Sequence, residues 1–157
     1  MCTAMSRLLV HKDIYDAFLA SFIDKAKRIK KGPGNDFETQ IGPLISDSQR
    51  RKFLDYCQIA KKEGARIICG GKIPDNQSLS QGFFVEPAVI VDVNPQMRIF
   101  QEEVFGPVVC VSKFSTVEEA IELANKVDFG LAACIWSKDT VKAKEIASSL
   151  CAGTVWI

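Results

Sequence analysis

Two stretches of the sequence carry residue types that could do chemistry: Cys2 near the start, and the acids Glu102 and Glu103 with Phe105 close behind. The acids stand just before a Gly-Pro turn signal and a continuous apolar run at 108–111. This arrangement predicts a loop at a strand end, where α/β proteins commonly bind ligands. A second interpretation stays open, in which the acids are simply solvated and Phe105 belongs to the core.

Cys2 lies in a short polar segment that precedes the first strand-like run. A thiol on a loop at a sheet edge is open to solvent, and nearby backbone N–H groups could lower its pKa and later hold an oxyanion. Such a setting suits a nucleophile. The alternatives are a disordered terminal residue without a role, and a simple reactive thiol that attacks esters or is oxidised without any cofactor.

Five further cysteines are scattered along the chain without a Cys-x-x-Cys pair or a histidine at ligand spacing. This distribution argues against a zinc site and against the disulfide framework of a small secreted domain. We expect most of the five to be small buried hydrophobic side chains. They are Cys57, Cys69, Cys110, Cys134 and Cys151.

His11 is the only histidine, so no cysteine–histidine or serine–histidine–aspartate arrangement can be built with redundancy. We expect it on the surface, beside Asp13, which has the side chain of a helix N-cap. The glycine-rich segments at 32–34 and 70–71 match neither the dinucleotide-binding nor the Walker pattern. If a nucleotide is used, other residues must supply its main binding unit.

Length and charge restrict the possible function classes. The 157 residues, 47% hydrophobic and 25% charged, are typical of one soluble globular domain. The formal net charge of +1 provides no general attraction for nucleic acid or an anionic membrane. No apolar run approaches the roughly 20 residues of a membrane span, and no signal peptide is recognisable at the start. We therefore expect a cytoplasmic protein with neither nucleic acid nor membrane as partner.

Hydrophobic periodicity and turn residues predict the elements that must position these side chains. Their order indicates an α/β layered domain with a largely parallel sheet and helices on both faces. Ser46 with Gln49, and Thr116 with Glu119, have the spacing of capping boxes at helix starts. Pro87 should confine part of its strand to an edge or a bend. The predicted strands cover 6–11, 65–69, 83–93, 108–114, 131–136 and 154–157, and the predicted helices cover 14–30, 46–63, a stretch from 116, and 140–150.

Six segments in this order resemble the aldehyde dehydrogenase superfamily, and the resemblance spans the whole chain. The Glu-Glu-Val-Phe-Gly-Pro-Val block at 102–108 is the most specific of them. The sequence at 2–11 is most similar to the betaine or amino-aldehyde dehydrogenase branch. The other segments are 41–45, 82–87, 129–133 and 152–156.

The resemblance implies that Cys2 is the catalytic thiol, with Met1 standing where the family has an apolar residue. It implies that Glu103 binds the nicotinamide ribose hydroxyls of NAD or NADP and that Phe105 packs beside the nicotinamide. Glu102 keeps the simpler interpretation of a supporting surface acid. The implied reaction oxidises a small-molecule aldehyde to a carboxylic acid through a cysteine thiohemiacetal and thioester. The intact enzyme would be a homo-oligomer.

In that family the Rossmann cofactor domain, an oxyanion-hole asparagine and the glutamate that activates water all precede the catalytic cysteine, and this sequence contains none of them. We therefore expect residues 1–157 to form a single catalytic domain, truncated at both ends, as the apolar ending also suggests. Alone it should lack dehydrogenase turnover. An alternative of another class is an inactive fragment that acts only as a folding or self-association module. The sequence leaves the aldehyde and the choice between NAD and NADP open.

Overall fold

The computed structural model describes residues 2–157, so Met1 lies outside it. A four-stranded sheet contains β1 (Arg7–His11), β2 (Arg66–Cys69), β3 (Ala88–Val91) and β4 (Val108–Phe114) in the spatial order β1-β4-β3-β2. The pairs β1–β4 and β3–β4 are parallel, whereas β2 joins β3 antiparallel at one edge. The predicted largely parallel sheet is confirmed.

Helices cover both faces of this sheet, as predicted. The helix α1 (Lys12–Arg28) packs with alternate strand residues such as Val89 and Val111. The helix α2 (Asp47–Lys62) packs on the opposite face with Ile90 and Cys110. Because successive strand side chains point to opposite faces, one apolar run such as β3 supplies both cores.

For Pro87 the edge alternative is wrong, since β3 lies between two neighbours, whereas the predicted interruption of the strand at Pro87 is present. The ladder begins at Ala88, whose N–H donates to the Pro107 carbonyl at 2.8 Å. Pro87 stands one residue earlier, where its missing N–H removes no ladder hydrogen bond. Residues 83–87 of the predicted strand therefore lie outside it.

The first helix begins earlier than the sequence suggests. His11 is its N-cap, and its Nδ1 accepts a hydrogen bond from the Asp13 N–H at 3.3 Å. The expectation that Asp13 caps the helix is wrong, because an imidazole acceptor one position before the helix already satisfies that N–H. His11 is half-buried, and its ring meets Phe114 edge-on at 5.4 Å.

Local capping chemistry predicted the other helix starts correctly. Ser46 Oγ accepts from the Gln49 N–H at 3.2 Å, and Thr116 Oγ1 accepts from the Glu119 N–H at 3.2 Å. The second bond of a capping box is missing from both pairs: the Glu119 carboxylate accepts from Ser115 N–H, and the Gln49 amide binds a distant loop. This contact between Gln49 and the loop helps to shape the candidate active site.

The C-terminal part forms a second layer made of α4 (Val117–Asn125), β5 (Ala132–Cys134), α5 (Thr140–Ser148) and β6 (Thr154–Trp156). Within residues 2–157, β5 and β6 pair in parallel as a separate two-stranded sheet. We expected these strands to extend the main sheet, and that expectation is wrong. Val141 of α5 is 68% exposed. The other large exposed apolar side chains of this layer are Phe129, Leu131, Trp136, Trp156 and Ile157.

The cysteines divide by layer. Cys57 and Cys110 are fully buried, and burial raises their pKa values to about 11 and about 12. Cys69 is half-buried. Cys134 and Cys151 are exposed, so the expectation of burial is wrong for both, because they lie in the thinly packed C-terminal layer.

Two short helical segments were not predicted: α3 (Arg98–Gln101) and a 3-10 turn (Gln77–Leu79). Each is too short for a periodic hydrophobic pattern. Among residues 2–157, no helix combines the length and the apolar character that crossing a bilayer requires.

Candidate active site

The topology brings the two stretches whose residues could do chemistry to the same end of two neighbouring strands. In the β1–β4 register Arg7 pairs with Cys110, and the Cys110 N–H donates to the Ser6 carbonyl at 2.8 Å. Cys2 and Phe105 each lie five residues before a member of that pair. Both segments therefore lead into neighbouring parallel strands at their amino ends.

The amino ends of the strands are not the ends at which the general α/β rule places a ligand. Ligands of open α/β sheets usually bind at the carboxyl ends of strands. Here the loop at 102–107 enters β4, and the segment at 2–6 enters β1. The predicted loop at a strand end exists, at the opposite end of the strands.

The Cys2 thiol is exposed on a turn. His11 ends β1, at the far end of a five-residue strand that is about 16 Å long. Among residues 2–157, Cys2 and His11 therefore do not form a cysteine–histidine pair. Among residues 2–157, no hydrogen bond joins Cys2 to Glu103 or Phe105, so their association rests on topology.

Arg7 anchors the segment that carries the thiol. Its guanidinium donates to the carbonyls of Leu123 at 2.9 Å and Ala124 at 3.1 Å, at the end of α4. It also lies 5.0 Å from the centre of the Phe100 ring, and burial lowers its pKa. Sequence reasoning missed this role, because nothing local signals a contact across more than a hundred residues.

Glu102 is more than the surface acid that the sequence suggested. Arg98 donates to its carboxylate through Nε at 2.6 Å and Nη2 at 2.9 Å, and the Tyr56 hydroxyl donates to the same group. The hydrogen bonds from Arg98, followed by that from Tyr56, lower the pKa of Glu102 to about 2. The same bond raises the pKa of Tyr56. Glu102 thus fastens the start of the loop to α2 and α3.

Glu103 and Phe105 point to solvent on either side of Val104, which is 5% exposed. Phe105 is 54% exposed, so the interpretation that placed it in the core is wrong. Its φ of +54° lies in the left-handed region, which a bulky non-glycine residue rarely adopts. Holding it there costs roughly 1–3 kcal/mol, which surrounding contacts must offset.

These side chains fit one end of a nicotinamide cofactor. An exposed carboxylate such as Glu103 can accept two hydroxyl hydrogen bonds from a ribose, and an exposed aromatic ring such as Phe105 offers a flat apolar surface to a heterocycle. The rest of the described chain offers no glycine-rich helix start for a diphosphate. The fit therefore extends to the ribose and the ring that it carries.

Comparison with known proteins identifies the family. The model of the aldehyde dehydrogenase family matches residues 1–157. The chain belongs to the aldehyde dehydrogenase family. The predicted membership is thereby confirmed, and the family's solved structures confirm the predicted fold class.

Relatives in the aldehyde dehydrogenase family match over nearly the whole chain. The chain is 51% identical to betaine aldehyde dehydrogenase of Bacillus subtilis, covering 100% of the chain and 32% of that relative. It is 46% identical to α-ketoglutarate semialdehyde dehydrogenase of Haloferax volcanii over 98% of the chain and 32% of the relative. It thus spans about a third of the length of these curated relatives.

A solved aldehyde dehydrogenase has the same fold. Betaine aldehyde dehydrogenase of Staphylococcus aureus in complex with NAD+ superposes with a TM-score of 0.98 at 50% identity, covering 100% of this chain and 31% of that one. A point mutant of the same enzyme, with a TM-score of 0.99, contains NAD+ and a BME-modified cysteine. The core described above is therefore the family's core.

Proposed function

We propose that these residues form the thiol-bearing catalytic domain of an NAD(P)-dependent aldehyde dehydrogenase that oxidises a small aldehyde to a carboxylic acid. One observation carries the proposal: the Cys2 segment and the loop with Glu103 and Phe105 enter neighbouring parallel strands at their amino ends. The membership in the family and the NAD+ complexes of its relatives support it.

Cys2 is the nucleophile in this proposal. Its thiolate attacks the aldehyde carbon, a carbon–sulfur bond forms, and the carbonyl oxygen becomes an oxyanion that the Cys2 backbone N–H helps to hold. Bound NAD(P) supplies the acceptor for the hydride that leaves this carbon. Cys2 then carries the acyl group as a thioester. Water adds to it, the carbon–sulfur bond breaks, and the acid and the free thiol are released.

Glu103 and Phe105 orient the cofactor without reacting. The Glu103 carboxylate accepts hydrogen bonds from the ribose hydroxyls, and the exposed Phe105 ring limits movement of the nicotinamide. Binding of the diphosphate and activation of the water need groups beyond these 157 residues. The chain alone should therefore form no NADH from any aldehyde.

The substrate belongs to the small polar aldehydes. Relatives named betaine aldehyde, aminoaldehyde and α-ketoglutarate semialdehyde dehydrogenase are 41–51% identical to this chain. Some are named chloroplastic or peroxisomal, and the cytoplasmic location stays a prediction.

A chimera tests the function. The 157 residues replace the matching segment of Staphylococcus aureus betaine aldehyde dehydrogenase, and NADH formation is followed with betaine aldehyde, an amino aldehyde and α-ketoglutarate semialdehyde. We expect aldehyde-dependent NADH formation that Cys2→Ser abolishes. A folded chimera that binds NAD+ but forms no NADH with any of the three would contradict the proposal.

A second function has its own observation. The C-terminal layer exposes Phe129, Trp136 and Trp156 by 60%, 89% and 49%, which favours self-association. This surface suits a folding or assembly module and would also serve the homo-oligomer expected of the intact enzyme. Light scattering of the chain with an apolar dye tests it, and a monodisperse monomer without dye uptake would exclude it.

A further inference from the structure

The loop that presents Glu103 and Phe105 is held by side chains and not by a strand ladder. Gln49 Nε2 donates to two consecutive carbonyls, that of Val104 at 2.8 Å and that of Phe105 at 3.0 Å. A carbonyl oxygen only accepts, so the amide nitrogen of Gln49 must face the loop. Gln49 thereby satisfies the backbone on both sides of the residue with positive φ.

Other residues on the same face of α2 continue this contact. Lys52 Nζ donates to the Glu103 carbonyl at 3.0 Å, and the Tyr56 hydroxyl donates to the Glu102 carboxylate. Positions 49, 52 and 56 recur at three and four residues, so they share one helix face. From the start of the helix toward its end, these three positions contact successively earlier residues of the loop.

Between these polar contacts the helix also fixes the turn that follows. Phe53 is fully buried, and a Cβ added to Gly106 would lie 3.1 Å from its Cδ2. The backbone at 106 therefore lies directly on the Phe53 ring. Side chains of α2 thus contact each residue from 102 to 106.

We propose that Gln49 is a positioning residue for the nicotinamide end of the cofactor, acting through the backbone of residues 104 and 105. Its amide keeps Phe105 in the left-handed conformation and holds Glu103 and Phe105 on the solvent side of Val104. This inference rests on the proposed function. It adds a residue fifty-five positions away from the loop that it controls.

Gln49→Glu separates positioning from helix stability. Gln49 follows the N-cap Ser46 by three residues, so a glutamate there completes the capping box and complements the helix dipole. The same carboxylate would face two carbonyl oxygens and could not donate to them. The helix should be as stable as before or more so, while the loop is released.

Gln49→Met completes the set, because a new negative charge could itself repel an anionic cofactor. Methionine has a similar length and carries no donor. Gln58→Met is the matched control: Gln58 is exposed on the same helix and makes no side-chain hydrogen bond within residues 2–157.

In the chimera, both Gln49 variants should raise the KM for NAD+ about tenfold, the factor expected for the loss of one or two hydrogen bonds. The KM for aldehyde and kcat should change by less than about threefold. In the 157-residue chain, proteolysis within 102–107 should accelerate about tenfold in both variants, and the Tm of Gln49→Glu should lie above that of Gln49→Met, because only the glutamate can complete the capping box.

The outcomes are distinguishable. A native chimera that forms no NADH overturns the proposed function. An active native chimera whose Gln49 variants keep the native KM for NAD+, or the native rate of proteolysis within 102–107, overturns this inference alone. A Tm loss in Gln49→Glu that accompanies uniform changes in every kinetic constant would show a merely structural role and also overturns it.

Discussion

The Tyr56 hydroxyl donates a hydrogen bond to the Glu102 carboxylate, which Arg98 also binds from α3. This relationship joins α2 to the loop that carries Glu103 and Phe105, across 46 residues of sequence. The acid pair is therefore divided by structure. Glu102 holds the loop in place, and Glu103 is left free to meet a ligand.

The stability of the chain should depend on pH through Glu102. Its pKa is about 2 in the folded protein against an ordinary 4.5, so its contribution is fully present above about pH 4.5 and is lost as the pH falls toward 2. At pH 7, Glu102→Gln should destabilise the chain by at most about 1 kcal/mol, because the side chain is 41% exposed. Urea denaturation between pH 7 and pH 2 measures the difference, which should shrink below about 4.5.

Glu103→Gln is the matched control for this titration. The Glu103 carboxylate makes no hydrogen bond or ion pair within residues 2–157, so its variant should be as stable as the native chain at pH 7. A difference between the native chain and Glu102→Gln that persists undiminished to pH 2 would contradict the ion-pair explanation.

Phe105 should show a conflict between stability and function. At a φ of +54°, Phe105→Gly relieves backbone strain, whereas Phe105→Ala removes the ring and keeps the strain. The glycine variant should be more stable than the alanine variant by about 1 kcal/mol. In the chimera both should raise the KM for NAD+. Denaturation of the chain and kinetics of the chimera test the two halves, and an alanine variant as stable as glycine would count against strain at this position.

Cys2 should be the fastest of the six cysteines to react. Labelling with iodoacetamide and peptide mapping should show modification of Cys2 ahead of Cys151, which is equally classed as exposed but is not the proposed nucleophile. Cys57 and Cys110 should stay unlabelled in the folded chain, because burial raises their pKa values to about 11 and about 12. Equal rates at Cys2 and Cys151 would exclude an activated thiol and leave only an accessible one.

Arg7 should contribute measurably to stability although it is charged. Arg7→Met removes two hydrogen bonds to the end of α4 and should destabilise the chain by about 2 kcal/mol. Arg66→Met provides the comparison, because its ion pair with Asp92 is exposed and should contribute less than about 0.5 kcal/mol. Thermal denaturation gives both values. Similar losses in the two variants would mean that burial adds nothing at Arg7.

Local patterns predicted the long elements well, for reasons that are themselves local. Helices α1 and α2 follow the helical spacing of their apolar residues, and Ser46 and Thr116 cap their helices because a hydroxyl reaches an N–H three residues on. The predictions failed where two nearby side chains could serve as the same helix cap, and where neighbouring residues do not decide which strands pair. His11 displaced Asp13 as a cap, and β5 and β6 paired apart from the main sheet.

The sequence by itself determined the family, the order of the elements and the residue types able to react: a thiol at Cys2, a carboxylate at Glu103 and an aromatic ring at Phe105. Only the tertiary structure decided that Cys2 and Phe105 share a sheet edge, that Glu102 is an anchor, and that Gln49 holds the loop. Hydrophobic spacing and capping act within a few residues, so sequence patterns record them directly. The β1–β4 register and the contacts of Gln49, Tyr56 and Arg7 join residues between 46 and 117 positions apart. Such contacts exist only after both cores have packed, and no local pattern encodes them.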